Sequence, residues 1–437
     1  MQDADGVTAT VKDRVRGETY DIRAKYLLGA DGGNSKVAAD IGLPMVGRMG
    51  VGGSINILFK ADLTRYVAHR PSVLYWVLQP GSNVGGIGMG VVRMVRTWDE
   101  WLLIWGYDIN QPAPEMTEAI CKDVAWNLIG DRSIPLEITS WSTWTVNHMH
   151  ATSYQQGRVF CMGDAVHRHP PSNGLGSNTS IQDAYNLAWK LMMVIKGHAG
   201  QALLDTYSVE RAPIGKQIVD RANKSIGEFA PIFGALGLLE STDPDVMKAN
   251  MEARKQDTPE SQERRRKLRE AIAFKAYEFD AHGVEMNQFY VSDAVAVTEG
   301  DERRLDADAE LVSQPSSCPG ARLPHAWLEK DRQARSTLDV VGHGQFTLLT
   351  GIGGAGWRAA AVDLAASGFP IRCVSIGPSQ DYEDPFGDWA RVREIDDDGV
   401  VLVRPDQFVA WRQRVRAADC ASALRDVLAR ITGTKER

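Results

Sequence analysis

Between Gly157 and Lys190 stand the side chains of this sequence best suited to chemistry. A short apolar strand, Arg158 to Met162, leads to one carboxylate, Asp164, then to His167 and His169, a proline pair, and a run holding Gly174, Gly176 and Asn178. A carboxylate delivered at the C-terminal edge of a strand stands where open α/β sheets bind their ligands. When ionised it accepts two or more hydrogen bonds and repels phosphate, so Asp164 suits a polyhydroxyl chain such as ribitol. Gly163 before it lets a ligand come close to the backbone. Pro170 and Pro171 stiffen the loop, and the glycines let backbone N–H groups point outward where the next helix begins. A helix N-terminus carries about half a positive charge, which stabilises negative charge on the pyrimidine edge of a reduced flavin. The chemistry to expect is redox chemistry on a flavin ring.

A helix must position this loop. Ile181, Ala184, Leu187, Ala188, Leu191 and Ile195 fall at helical spacing, with Thr179 or Ser180 as N-cap, Gln182 or Asp183 closing a capping box, and Gly197 just past the end. A second helix runs from about residue 202 to 229. Upstream, Val7, Ala9 and Val11 and then Tyr20, Ile22 and Ala24 alternate around a polar turn, the pattern of a hairpin. Tyr26 to Leu28 reads as a buried strand that ends in a glycine turn at Gly29, Asp31 and Gly32, with a helix starting at Ser35.

From about Gly50 to Asn147 the chain reads mostly as strands and holds seven of the twelve tryptophans: Trp76, Trp98, Trp101, Trp105, Trp126, Trp141 and Trp144. Packing of one sheet face is their simplest explanation, given the area aromatics bury, and an aromatic-lined ligand pocket is the alternative. Residues 258 to 279 read as a charged, solvated helix. Residues 301 to 319, rich in Asp, Ser and Pro, read as a linker before a last α/β unit with strands near 346–349 and 371–376. No internal repeat of 20 to 50 residues is seen.

Composition narrows the function classes. In 437 residues, 49 basic against 56 acidic side chains leave a net charge of -7, which repels nucleic acid and anionic lipid. No apolar run approaches the roughly 20 residues of a spanning helix, and the start lacks the features of a signal peptide, so a cytoplasmic protein is expected. Five scattered cysteines, never in C-x-x-C spacing, read as thiols and not as disulfides, a zinc site or a redox pair. His167 and His169 have no further ligand cluster nearby in sequence, so no metal is expected.

The run from Gly163 to Asn178, followed by Ile181 to Lys190, resembles the second flavin signature of the phenol hydroxylase branch of the class A FAD-dependent aromatic hydroxylases. That resemblance implies that Asp164, with Gly163, holds the ribitol and that Pro170, Gly174, Leu175, Gly176 and Asn178 line the flavin ring. Gly29, Asp31 and Gly32 match a signature that serves both flavin and reduced nicotinamide, although Ala38 stands where an arginine is often found. The likeness continues through residues 203–213, 319–325 and 403–412. Arg70 to Asn83 and Thr143 to Asn147 look most like members acting on chlorinated phenols.

The resemblance implies an α/β fold: a partial, glutathione-reductase-like FAD-binding domain with an inserted β-sheet substrate domain and a C-terminal thioredoxin-like domain. The expected divisions are 1–48 and 151–300 for the flavin-binding segments, 49–150 for the substrate sheet, 301–319 for the linker and 320–437 for the last domain. NADPH and O2 would be co-substrates, and the product a catechol hydroxylated ortho to the phenol OH. The apolar walls would come from the tryptophan-rich sheet, and a protein base would deprotonate the phenol, with Tyr75, Tyr107, His148 and His167 all open as candidates. The last domain lacks C-x-x-C, which implies a structural or oligomeric role and a homo-oligomer. Epoxidation, halogenation or reduction on the same fold, or a fragment that binds FAD incompletely, are the competing readings.

Two further features bear on this. Relatives of this kind open with a strand and a G-x-G-x-x-G for the FAD pyrophosphate. Nothing before Tyr26 does so, which predicts a chain truncated at its N-terminus. Gly351-Ile-Gly-Gly-Ala-Gly does fit that pattern, yet the acidic residue needed about 20 positions on is missing from the next strand's end, where Ser375 stands. It reads as a decoy.

Overall fold

In the computed structural model, which describes residues 1–80, 89–298 and 300–434, the chain opens with an antiparallel hairpin of β1 (Val7–Lys12) and β2 (Thr19–Ala24). Next come β3 (Leu27–Gly29) and α1 (Lys36–Asp40), then β4 (Met45–Lys60), α2 (Thr64–Val67), β5 (Leu74–Leu78), β6 (Met89–Arg96), β7 (Glu100–Tyr107), α3 (Glu118–Ile129) and β8 (Glu137–Ala151). The short strands β9 (Gln155–Gln156), β10 (Val159–Cys161) and β11 (His167–Arg168) lead into α4 (Gly176–Ile195) and α5 (Ala202–Gly227). β10 lies between β3 and β9 and pairs in parallel with β3, Val159 opposite Leu27 and Cys161 opposite Gly29. Their C-terminal ends therefore release two loops side by side.

A six-stranded sheet, in the order β11-β8-β4-β7-β6-β5, fills the middle of the chain. On one face Ile55, Ile57, Phe59, Val92, Trp101 and Leu103 are buried under Cys121, Ala125 and Leu128 of α3. Period-two alternation turns Ser54 and Asn56 of β4 to the other face. Trp98, Trp101 and Trp105 belong to the covered face, as core packing predicts. Trp144 instead donates its indole N–H to Asn56 on the opposite face, Trp76 packs at a tilt of 39° on Phe229 with centroids 4.2 Å apart, and Trp141 is exposed. Core packing under α3 thus accounts for Trp98, Trp101 and Trp105 and not for Trp76, Trp141 or Trp144.

The helix after the flavin loop begins earlier than its apolar spacing predicts. Its N-cap position is Leu175, which makes no side-chain cap, so neither Thr179 nor Ser180 caps it. Ser180 lies within the helix and donates to Gly176 O, and Asp183 is turned inward instead of closing a capping box. The glycine-rich turn can itself adopt the first helical turn, and the cost is an end whose N–H groups lack a side-chain acceptor. The helix stops where expected, with Gly197 at φ +77°.

Five shorter helices follow, α6 (Ala230–Ala235), α7 (Pro244–Ala253), α8 (Pro259–Phe274), α9 (Ala276–Phe279) and α10 (His282–Met286). α8 carries exposed ion pairs from Arg266 to Glu263 and Glu270, the solvated face its charges predict. Residues 301–319 are no free tether: Asp301 pairs with Arg412, Ser317 donates to Arg393 O, and Cys318 is buried. The polar residues that mark a linker by composition here find partners on the unit that follows.

That unit comprises β12 (Trp327–Lys330), β13 (Gln333–Ser336), α11 (Thr337–Val340), β14 (Phe346–Thr350), α12 (Ala355–Ala366), β15 (Ile371–Ser375), α13 (Asp388–Val392), β16 (Val400–Val403), β17 (Val409–Gln413) and α14 (Cys420–Ile431). Its sheet runs β15-β14-β16-β17, with β14 and β15 parallel across α12 and the remaining pairs antiparallel. This is the thioredoxin-like arrangement, and no cysteine lies in its strand-to-helix loop. α4 and α5 pack on both neighbours: Phe160, Leu187 and Tyr207 on one side, Trp189, Leu203, Phe346 and Trp357 on the other.

Candidate active site

The loop after β3 and the loop after β10 meet at one sheet edge, and Met162 N donates to Gly29 O across them. A Cβ on Gly29 would lie 2.9 Å from Cys161 Sγ, so close packing requires glycine there. Asp31 folds back on its own loop, accepting from Ser35 Oγ at 2.5 Å and from Val37 N at 3.1 Å. Burial works to raise the Asp31 pKa, but these hydrogen bonds outweigh it and hold the carboxyl below its ordinary range. Asp31 thus organises the start of α1. Gly32 takes φ +82° in open space.

On the second loop Gly163 takes φ +64° with the first turns of α4 beside it, since a Cβ would meet Ser180 Oγ at 3.0 Å. Asp164 is exposed at the end of β10. Leu175 and Pro170 are buried, Gly174 is left-handed at φ +65°, and Asn178 donates to Gly174 O at 2.9 Å. Asn173, also left-handed, donates to Tyr277 O and accepts from Ser225 Oγ at 2.7 Å, which pins the loop to α5 and α9. The donors and acceptors left available are a carboxylate at a strand end and the N–H groups of an uncapped helix. That set fits the ribityl hydroxyls and pyrimidine edge of a flavin.

Arg168 braces the second loop and lies beside the first, a role the sequence alone does not reveal. Its Nε donates to Asp164 O at 3.1 Å, its guanidinium rests on Met49 and Met149 sulfurs, and a Cβ on Gly33 would touch it. Burial lowers the Arg168 pKa, opposed by Asp164 and Asp31.

Beneath the second loop lie two buried polar networks. Asp183 accepts from Gly163 N at 3.1 Å, bonds His167 Nε2 at 2.9 Å and accepts from Arg211 Nε at 2.7 Å. Burial opposes ionisation of Asp183, yet Arg211 and His167 hold its carboxyl below the ordinary range. In the second network Glu210 accepts from Lys190, Asn186, Ser292 and Arg404, and Arg404 also binds Asp406. The Arg404 guanidinium stacks over Trp189 and Tyr290, 5.0 and 5.2 Å from their centroids. This cluster fastens the corner between β16 and β17 to α4 and α5. A signal was available: Asp183, Asn186 and Lys190 recur at helical spacing, forming a polar stripe on a buried face.

The candidate bases separate. His167 is fully buried against Asp183, and Tyr75 is tied to Arg70 O and Ser72 N. The Tyr107 ring lies over Gly53 on the covered face of the sheet. His148 is partly exposed, and its Nε2 lies 3.0 Å from Asp220. His169 bonds Pro170 O, and burial pulls it below the usual histidine range. Among the described residues no group of three or more His, Cys, Asp or Glu could hold a metal. All five cysteines are free, and burial pushes the Cys161 thiol up to about 11. Gly81 to Asn83, part of the chlorophenol likeness, lie outside the described residues.

Paired strand-end loops, an uncapped helix and a mixed C-terminal sheet define a flavin-binding aromatic hydroxylase. The chain belongs to that family: residues 1–222 match the FAD binding domain and residues 316–434 the aromatic-ring hydroxylase C-terminal domain. It is 56% identical to 2,4-dichlorophenol 6-monooxygenase of Cupriavidus pinatubonensis (strain JMP 134 / LMG 1197), covering 99% of this chain and 73% of that protein. It is 49% identical to phenol 2-monooxygenase of Pseudomonas sp. (strain EST1001), covering 98% of this chain and 69% of that one. The flavin-dependent monooxygenase PieE, solved with FAD and substrate, superposes with a TM-score of 0.92 at 41% identity, covering 100% of this chain and 75% of its own. The chain is thus similar to monooxygenases named for phenols and to a flavin-dependent monooxygenase solved with FAD. No described helix is long and apolar enough to cross a membrane.

Proposed function

We propose that this chain hydroxylates a chlorinated phenol ortho to its OH, giving a catechol, with FAD as cofactor and NADPH and O2 as co-substrates. The observation that carries the reading is the exposed Asp164 carboxylate at the end of β10, beside the uncapped N-terminus of α4. Gly29, Asp31, Gly32, Gly163, Asp164, Pro170, Gly174, Leu175, Gly176 and Asn178 are the residues that would hold the cofactor. Bound and reduced, FAD supplies the activation of O2. Asp164 would accept from ribityl hydroxyls, and the free N–H groups of Gly176 and its neighbours would stabilise negative charge on the pyrimidine edge. Arg168 braces the second loop from the side.

The face of the six-stranded sheet turned away from α3 would supply the substrate walls. Trp144 and Asn56 lie on it, and Trp76 meets Phe229 there. By alternation along β8, His148 shares the side of Trp144. It is the base we assign to the phenol proton, with Asp220 orienting the ring from a carboxylate that burial raises and Lys216 and His148 lower. The same reading includes a cytoplasmic, self-associating enzyme.

Substrate-dependent NADPH oxidation with a panel of phenols tests this. Formation of a catechol from 2,4-dichlorophenol is the expected result, and absence of catechol from every phenol would sink it. His148→Asn is expected to lower kcat at neutral pH and to move the pH profile while leaving FAD bound; an unchanged profile removes His148 from the role.

A further inference from the structure

Asp183 is a charged group that the oxygenation site does not itself use, and it lies at the junction of that site's two halves. It is carried by α4, the helix whose uncapped first turn is assigned to the flavin, and it is fully buried. One of its oxygens, Oδ2, accepts Gly163 N–H at 3.1 Å and meets His167 Nε2 at 2.9 Å. Gly163 and His167 bracket Asp164, so a single atom ties both ends of the loop that carries the ribityl ligand. The other oxygen, Oδ1, is held at 2.7 Å by Arg211 of α5. Arg211 spends its remaining donors on the same helix and its surroundings: Thr179 O at 3.3 Å, Gln182 Oε1 at 3.4 Å and Tyr290 OH at 3.0 Å.

We infer that Asp183, locked by Arg211, is a positioning residue for the cofactor: it sets the direction in which Asp164 leaves β10 relative to the N-terminus of α4. Gly163 at φ +64° has no Cβ to restrict its rotation, so the bond from its N–H, together with the turn bond from Val166 N to Gly163 O, holds the turn. The inference rests on the assignment of Asp164 and the α4 N-terminus as the FAD site. It assigns Asp183 no contact with the flavin; the effect passes through Gly163 and His167.

The test uses the full chain with FAD. Asp183→Asn alone leaves Arg211 buried without a counter-charge, which risks the fold. The neutral pair Asp183→Asn with Arg211→Gln avoids that, and His167→Leu breaks only the second tie, while His167→Gln retains an N–H close to the place of Nε2. Far-UV circular dichroism reports folding, FAD titration reports affinity, and peptide-resolved hydrogen exchange without FAD reports the 158–168 loop. The double variant is expected to bind FAD about tenfold more weakly and to exchange faster in that loop only, a loss of the size a charged hydrogen bond commands. His167→Leu should move the same way and His167→Gln should recover most of the loss. Unchanged FAD affinity and loop exchange in folded Asp183/Arg211 and His167→Leu variants would overturn the inference. Asp164→Ala separates the two levels: if it too leaves FAD affinity unchanged, the site assignment fails, whereas a loss confined to Asp164→Ala removes only the positioning role.

Discussion

Two strand-to-helix loops in this molecule are rich in glycine, and they do opposite things. After β10, Gly163 and Gly174 take left-handed conformations around a loop that presents Asp164 to solvent. After β14, Gly351, Gly353 and Gly354 leave room for the protein itself: a Cβ on Gly351 would lie 2.6 Å from Asp397 O, one on Gly353 2.6 Å from Asp398 Cβ, and one on Gly354 2.2 Å from Thr350 Oγ1. Trp357 completes the closure by donating its indole N–H to Asp398 O at 3.0 Å. The second loop matches the dinucleotide pattern more closely by sequence, and it has no space for a dinucleotide. A glycine signature records that something approaches the backbone; only the partner decides whether that something is a ligand.

The contrast can be broken at several points, the strongest being the corner that joins the two regions. Arg404→Met leaves Glu210 and Asp406 with less counter-charge in a fully buried site and is expected to cost about 3–5 kcal/mol, read from the denaturant midpoint. A change under 1 kcal/mol would mean that the cluster does not fasten the C-terminal unit. Asp164→Ala should weaken FAD about 10- to 100-fold, a loss of roughly 1.4–2.8 kcal/mol, with little change in unfolding. Gly354→Ala should show the reverse, about 1–3 kcal/mol of stability lost to overpacking with FAD affinity of the folded protein intact. If Gly354→Ala instead weakened FAD and spared stability, the two loops would have exchanged roles.

Acid gives the gentlest perturbation. Glu210 and Asp183 are both held below their unfolded pKa values of roughly 4, Glu210 by Arg404 and Lys190 against the pull of burial. A depressed carboxyl contributes stability that is fully present above its unfolded value and is lost as pH falls toward its folded value. Stability from these two groups is therefore expected to stay level from pH 7 to about 5 and to decline below about 4. A decline beginning near pH 6, followed by thermal unfolding, would point to a histidine instead.

Much of this was legible in the residues. Alternation gave the opening hairpin, helical spacing gave the body and end of α4, and the absent acidic residue near Ser375 flagged the Gly351 loop as a decoy. The start of α4 was misplaced because cap preferences assume a side-chain acceptor, and this end keeps its N–H groups free. Arg168 and Arg211 escaped for another reason. Their partners are brought together by parallel pairing of β3 and β10 and by the packing of α5 on α4, and nothing local in the sequence encodes either contact.

Glu210 and Arg404 meet across 194 residues of chain, which gives the molecule a history as well as a shape. At roughly 5–20 residues per second, a ribosome delivers Arg404 about 10–40 s after Glu210. During that interval Lys190 and Glu210 have each other but neither arginine nor Asp406, and the face of α4 and α5 that the C-terminal sheet will cover stays wet. Synthesis through the β16–β17 corner is thus the step that covers this face of α4 and α5, and a ribosome stalled short of that corner would leave the Lys190–Glu210 pair open to water.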